Sequence, residues 1–253
     1  MVETALTPGA RMRTRLIGAL VRYLALPTRR HRPQATVDPQ SLGAILARGD
    51  VLLTGGTTRI AALVKLVTRS TWSHVSMYVG PLEEGPDPRC IVEADIAAGV
   101  RSIRLSELQA VHVRVLRPVG VSDVRRRLLA DWVAGRIGSE YDLEQAWGLG
   151  RRLLRLKSPA DWRAGPRRRL DGDTRFFCCS LLARAFALVG NPLLPTRTRV
   201  GRLAVIDYGD LTPADFELAP TLKVVYPIDN ASEARNSLLL RALRADSGAS
   251  LVP

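Results

Sequence analysis

The sequence predicts an α+β domain with a mixed, mostly antiparallel central sheet flanked by helices. Short segments whose apolar residues alternate, such as Val75, Met77 and Val79, are interleaved with longer segments whose apolar residues recur every three or four positions. The loops between neighbouring strand-like segments have hairpin length, which favours antiparallel pairing. The chain has 253 residues, 46% apolar and 24% charged. That suffices to bury a sizeable core and excludes a disordered tail, a collagen-like fibre and a disulfide scaffold.

The elements follow in order. Arg11 to Leu26 has helical periodicity: Leu16, Leu20 and Leu24 recur at i+4, Arg11, Arg15 and Arg22 fall opposite, and Pro27 ends the run. Thr28 to Thr36, rich in Arg and Pro, is a linker. Residues 1–36 therefore stand apart from a domain over 37–230, and 231–253 form a tail. Leu42–Ala47 predicts a short helix, Gly49-Asp50 a turn and Val51–Thr54 a strand broken by Gly55-Gly56. Arg59–Thr68 is a helix with Ile60, Leu63, Val64 and Val67 on one face. Strands follow at His74–Val79, Ile91–Asp95 and Val111–Leu116. Val121–Ile137 is a helix capped by Ser122 or Asp123 and closed by Gly138. Tyr141–Leu156 is expected to be helical, Phe177–Val189 is a helix stopped by Gly190, and Val200–Asp207 and Leu222–Tyr226 add strands. No internal repeat is found.

Net charge is +13, and only three of the 37 basic residues are lysine: Lys65, Lys157 and Lys223. Such a balance favours anionic partners, a phospholipid surface or nucleic acid. Aromatics are only 5% and no helix-turn-helix or zinc-knuckle spacing occurs, so no specific nucleic acid is expected. Two readings of the N-terminal helix stay open. It packs on the domain with Arg in solvent, or residues 11–26 lie in a membrane interface with Arg on anionic lipid. No apolar run is long enough to span a bilayer and no secretory signal pattern is found. The expected location is the cytoplasm, peripheral on the inner membrane in the second reading.

There are three cysteines, Cys90, Cys178 and Cys179. The odd count with an adjacent pair speaks against a disulfide framework, and no metal-ligand spacing is found. The pair opens an apolar helix, where free N–H groups and the helix dipole favour a thiolate. Buried cysteine is equally an ordinary small hydrophobe. A nucleophilic thiol needs a base. His31 lies in the linker and His112 on the polar side of its strand. His74 opens a strand next to one carrying Glu93 and Asp95 on a common face, so a carboxylate can orient its ring. The competing readings are a satisfied core histidine and two solvated acids.

These pieces, in this order, resemble a known family. Gly49-Asp-Val-Leu-Leu53, Trp72-Ser-His-Val-Ser-Met-Tyr-Val-Gly80, Ile91-Val-Glu-Ala94, Gly138-Ser-Glu-Tyr-Asp142 and Cys178-Cys-Ser-Leu-Leu-Ala-Arg-Ala-Phe186 are similar to the permuted papain-like cysteine hydrolases. Within the NlpC superfamily these form the YiiX/YebB-like branch, related to lecithin retinol acyltransferase. The resemblance spans about Ser41 to Tyr226 and implies a circularly permuted papain-like fold. It implies His74 as the base, Glu93 as the polar third residue and a cysteine followed by Ser as the nucleophile, hence Cys179. Helix periodicity agrees, since Cys179 shares a face with Leu182, Ala183 and Phe186. Tyr78, Tyr141, Asp142 and Ser180 are the implied substrate-binding positions. The implied activity is an amidase, peptidase or acyltransferase working through a Cys acyl-enzyme without cofactor or metal. The amphipathic N-terminus favours a lipid- or acyl-linked substrate. A peptidoglycan-peptide amidase or endopeptidase, and a non-catalytic basic membrane-surface protein, are the alternatives.

Overall fold

The structure is a computed structural model of the chain and describes residues 19, 22–28, 38–109, 111–142, 175–193 and 211–227. Most of the predicted N-terminal helix, the linker with His31, the basic stretch 151–174, the predicted strand 200–207 and the tail lie outside these residues. So does all but the start of the helix expected over 141–156.

Six strands form one antiparallel sheet. They are β1 (Val51–Gly55), β2 (His74–Tyr78), β3 (Arg89–Asp95), β4 (Gly99–Arg104), β5 (His112–Pro118) and β8 (Leu222–Tyr226), in the order β4-β3-β2-β1-β5-β8. Strand β1 is central and buried throughout. Its period-2 geometry sends Val51 and Leu53 into a large core with Val75, Met77 and Phe186, and Leu52 into a smaller one with Ile91, Val113 and Val115. Hence it reads as an unbroken apolar run rather than an alternating one.

Among the described residues from Asp38 onward the α-helices are α1 (Pro39–Ile45), α2 (Arg59–Thr68), α3 (Asp123–Ala134), α4 (Cys178–Leu188) and α5 (Pro213–Leu218). The Asp38 carboxylate caps α1 by accepting the Ser41 N–H at 2.9 Å, and Ser122 Oγ caps α3 by accepting from Arg125 at 3.4 Å. Helix α3 ends at Ala134 and its chain turns through Gly135, three residues before the expected stop at Gly138. Against the large core lie α3, through Leu129, Ala130 and Val133, and α4, buried from Cys178 to Ala183. Helix α2 differs. Only Ala61 is buried, while Leu63 and Leu66 are exposed, so the apolar face expected from its sequence is not sealed into the core.

Two features that shape the site escaped the sequence reading. Strand β4 is an edge strand whose Arg101 and Arg104 interrupt any apolar alternation; pairing with β3 makes it a strand, with Glu93 opposite Arg101. Tyr141, expected in a helix, lies in a two-residue strand, β6 (Glu140–Tyr141), parallel to β7 (Arg175–Phe176). The Val100 N–H donates to the Ser139 carbonyl and the Gly138 N–H to Val100, each at 2.8 Å. Gly99, at φ +74°, permits this approach, since a Cβ there would meet the Ser139 oxygen at 2.4 Å. Tyr141 is thereby carried to the cysteine end of α4.

Candidate active site

The site begins with strand register. Ser76 on β2 pairs with Glu93 on β3. His74, two residues earlier on the same face, is the diagonal neighbour of Glu93. The His74 Nε2 lies 3.0 Å from Glu93 Oε2, with the His74 side chain 25% exposed and that of Glu93 10%. This leaves Nδ1 for the thiol side.

Helix α4 brings the thiol. The Cys178 side chain hydrogen-bonds with the His74 imidazole and accepts from the Val75 backbone N–H. Its sulfur is 3.8 Å from that of Cys179. The first i to i−4 bond of α4 runs from Leu181 N–H to the Phe177 carbonyl at 3.0 Å, so the N–H groups of Cys178 and Cys179 precede it and face the helix entrance. Ser180 holds that entrance: its Oγ accepts the Phe177 N–H at 3.1 Å and donates to the Phe177 carbonyl at 3.1 Å.

The electrostatics follow from these contacts. The Cys178 thiol lies well below its ordinary range. The Cys179 hydrogen bond is the strongest cause; the His74 bond and charge and the Val75 N–H add to it, outweighing burial. Cys179 moves well above that range, through burial and then its bond and charge contact with Cys178. Burial disfavours a charged His74, but Cys178 and Glu93 together hold the ring well above the usual imidazole value. Burial likewise opposes a charged Glu93, yet His74 and then Arg101 bring it down to about 2. These directions all favour a Cys178 thiolate beside a His74 imidazolium and a Glu93 carboxylate.

Sequence reasoning missed Arg101. Its Nε donates to Glu93 Oε1 at 3.0 Å and Nη2 lies 2.8 Å from the same oxygen and 3.8 Å from Asp95. The carboxylate thus has one oxygen on Arg101 and the other on His74, which fixes its rotation. The available signal was the cation opposite Glu93 on a paired strand, legible only once β4 is recognised.

The structure brings together His74, Glu93 and Cys178, whereas sequence register pointed to Cys179. The face shared by Cys179, Leu182, Ala183 and Phe186 is the core face, and Cys179 is 0% exposed against 8% for Cys178. Periodicity found the most buried side of the helix, and the thiol that meets His74 occupies the position just before it. The four residues expected at the substrate part company. Tyr141 is beside both cysteines, and burial, then their charge, keep its phenol protonated. Asp142 follows it, its N–H donating to the Phe176 carbonyl at 2.9 Å. Ser180 is fully buried and spent on the helix cap. Tyr78, at the far end of β2, packs against the smaller core near Cys90. Asp95 turns its carboxylate to the Ala97 and Ala98 N–H groups, at 2.9 and 2.8 Å. His112, as expected, stands apart from the thiol, stacked on Trp72. Cys90 is raised to about 11 by burial and the neighbouring Asp87.

Residues 45–149 match the family described as the permuted papain-like amidase enzyme, YaeF/YiiX, C92 family. Over that segment, which contains His74 and Glu93, the chain is similar to the permuted papain-like amidases. A solved structure of the metalloprotein yiiX from Escherichia coli O157:H7 is similar, with 16% identity and a TM-score of 0.48 over 72% of this chain and 97% of that one. Among the described residues, no group of three or more His, Cys, Asp and Glu side chains comes together that could hold a metal ion. No curated protein matches the chain.

Proposed function

We propose that the chain hydrolyses an amide or (thio)ester bond with Cys178 as nucleophile, His74 as base and acid, and Glu93 as the group that orients the imidazole. The observation that carries this reading is the Cys178 thiol held between the His74 ring and the Val75 N–H at the first turn of α4. The thiolate sulfur attacks the carbonyl carbon. The oxyanion formed is met by the backbone N–H groups at the start of α4 and by the protonated Tyr141 phenol. The imidazolium gives its proton to the leaving amine or alcohol as the C–N or C–O bond breaks; a thiol leaves in the same way. Water then loses a proton to His74, attacks the thioester and releases the acid and the thiolate. An amine or alcohol in place of water would make the same site an acyltransferase.

The substrate is proposed to be acyl- or lipid-linked, since the apolar and basic surface described below lies at the same end of the sheet as His74. The discriminating experiment is intact-mass analysis after incubation with lipid extracts and with peptidoglycan extracts. An acyl adduct on Cys178, absent in Cys178→Ala and retained in Cys179→Ala, is the expected result. An adduct or an iodoacetamide mark on Cys179 alone overturns the assignment, and a peptide adduct moves the substrate to peptidoglycan.

A further inference from the structure

Helix α2 and the segment 22–28 form one outward surface. The Leu26 carbonyl accepts the Arg59 N–H at 3.0 Å, the Thr28 N–H donates to the Thr57 carbonyl at 2.8 Å, and Pro27 bridges to Thr58. The Arg59 guanidinium lies 3.9 Å over the Tyr23 ring. From Arg59 the helix carries Leu63 and Leu66 outward at i+4 and i+7. Leu66 is 76% exposed, Leu63 42%, Tyr23 55% and Leu26 48%.

The two segments that carry these apolar residues hold charge of one sign. No acidic residue occurs from Thr4 to Val37 or from Val51 to Leu82. Arg22 and Arg69 are exposed at the two ends of the patch. The outer face of α3 contrasts with it: exposed Val124 and Leu128 there stand among Arg125 to Arg127, Asp123 and Asp131. Such mixed charge keeps apolar residues compatible with water, whereas an apolar stripe rimmed only by cations is complementary to an anionic headgroup layer.

The surface also has a fixed relation to the active site. Helix α2 joins β1 to β2 at the end of the sheet where His74 begins its strand. There the Gly56 N–H donates to Ser73 Oγ at 2.9 Å and the Ser73 N–H to the Thr54 carbonyl at 3.0 Å.

We propose that the outer stripe of α2, with residues 22–28, docks the protein on an anionic phospholipid bilayer and so presents the His74 end of the sheet to lipid-linked substrate. The last clause rests on the cysteine hydrolase reading; the docking does not. Leu63 and Leu66 enter the headgroup boundary while Arg22 and Arg69 meet phosphates. No helix among the described residues is long and apolar enough to cross a membrane, so the contact lies in the plane of the surface.

The test is flotation of the full chain with vesicles of phosphatidylglycerol and phosphatidylcholine in equal parts, against phosphatidylcholine alone. Wild type is expected to float with the first at low salt and to be released as salt rises. Leu63→Gln with Leu66→Gln should weaken partitioning about tenfold or more. Arg22→Gln with Arg69→Gln should weaken it at low salt and flatten the salt dependence. Both pairs are surface changes, and iodoacetamide labelling of the cysteines and the melting temperature should stay at wild-type values. Labelling thus reports on the catalytic reading separately from docking. The proposal is overturned by a wild type that ignores anionic vesicles. It is overturned equally if the leucine pair floats unchanged, which would leave binding to other parts of the chain. Duplex DNA that strips wild type and the leucine pair from vesicles alike would assign the charge to nucleic acid instead.

Discussion

His74 and His112 flank the same end of β1, one on each neighbouring strand: Thr54 pairs with His74 and Gly55 with His112. They differ in what faces them. His74 meets the Glu93 carboxylate and the Cys178 thiol, which hold its proton well above the ordinary imidazole range. His112 is stacked on Trp72 with ring centroids 4.9 Å apart, and burial, Arg114 and Lys65 push its proton off more readily. One residue type on one sheet end yields a charged acid in one place and a neutral aromatic in the other. Neighbouring charge and hydrogen bonding decide which.

The largest predicted effect removes the charged side of this comparison. His74→Ala should lower the rate at which iodoacetamide labels Cys178 at pH 6 by roughly tenfold or more, because the thiolate loses its imidazolium partner while burial still opposes its charge. His112→Ala should leave that rate unchanged. In wild type the labelling profile should begin its rise well below the free-thiol range and hold until pH approaches the raised value of His74. A wild-type profile rising only near 8.5 breaks the ion-pair description.

Glu93 sharpens the comparison through stability. Its folded value of about 2 lies below the ordinary 4.5, so its contribution is present above 4.5 and is lost as pH falls toward 2. Over that window wild type should lose on the order of 3 kcal/mol that Glu93→Gln never had. The readout is chemical denaturation at several acidic pH values. Parallel curves for the two proteins would show that Glu93 is not held by His74 and Arg101. In the same variant, labelling at neutral pH should slow, since the neutral amide no longer supports an imidazolium.

Smaller effects follow from groups one step removed. Arg101→Gln should slow labelling a few-fold, because the Arg101 side chain is 44% exposed and its charge is partly screened. Arg101→Lys should recover only part of that, lacking the fork that holds Glu93 Oε1 from two nitrogens. Cys179→Ala should retain labelling while shifting its midpoint upward, since a hydrogen bond to the thiolate is lost. The smallest effect is on His112→Ala, a melting-temperature loss worth about 1 kcal/mol from the broken stack on Trp72. If it changes the labelling profile instead, the two histidines are coupled and the comparison fails.

Much of this was legible in the residues. The alternation at His74–Val79, the strand at Leu222–Tyr226, the helix at Arg59–Thr68 and a cap at Ser122 or Asp123 reflect local rules, and each is found where those rules put it, within a residue or two, the cap being Ser122. The pairing of the His74 strand with the Glu93 strand was legible because consecutive strands joined by a short loop pair antiparallel. Arg101 was not legible, since β4 carries too few apolar residues to announce itself and exists through its partner. Residue 141 was assigned to a helix because its short parallel pairing with Phe176 spans 35 positions, beyond any local pattern.

By itself the sequence determined which groups the proposed chemistry draws on. A histidine on a strand, an acid on the next strand and a thiol at a helix start are set by residue type and local periodicity, which need no distant partner to be read. Which of two adjacent thiols meets the imidazole was decided only by the tertiary structure. Neighbours on a helix differ by about a hundred degrees in direction, and the docking of α4 on β2 selects between those directions. That docking turns Cys179 into the core with Leu182 and Phe186 and leaves Cys178 against His74 and the Val75 N–H. Helix propensity, capping and dipole are nearly the same for both positions, so nothing local could separate them.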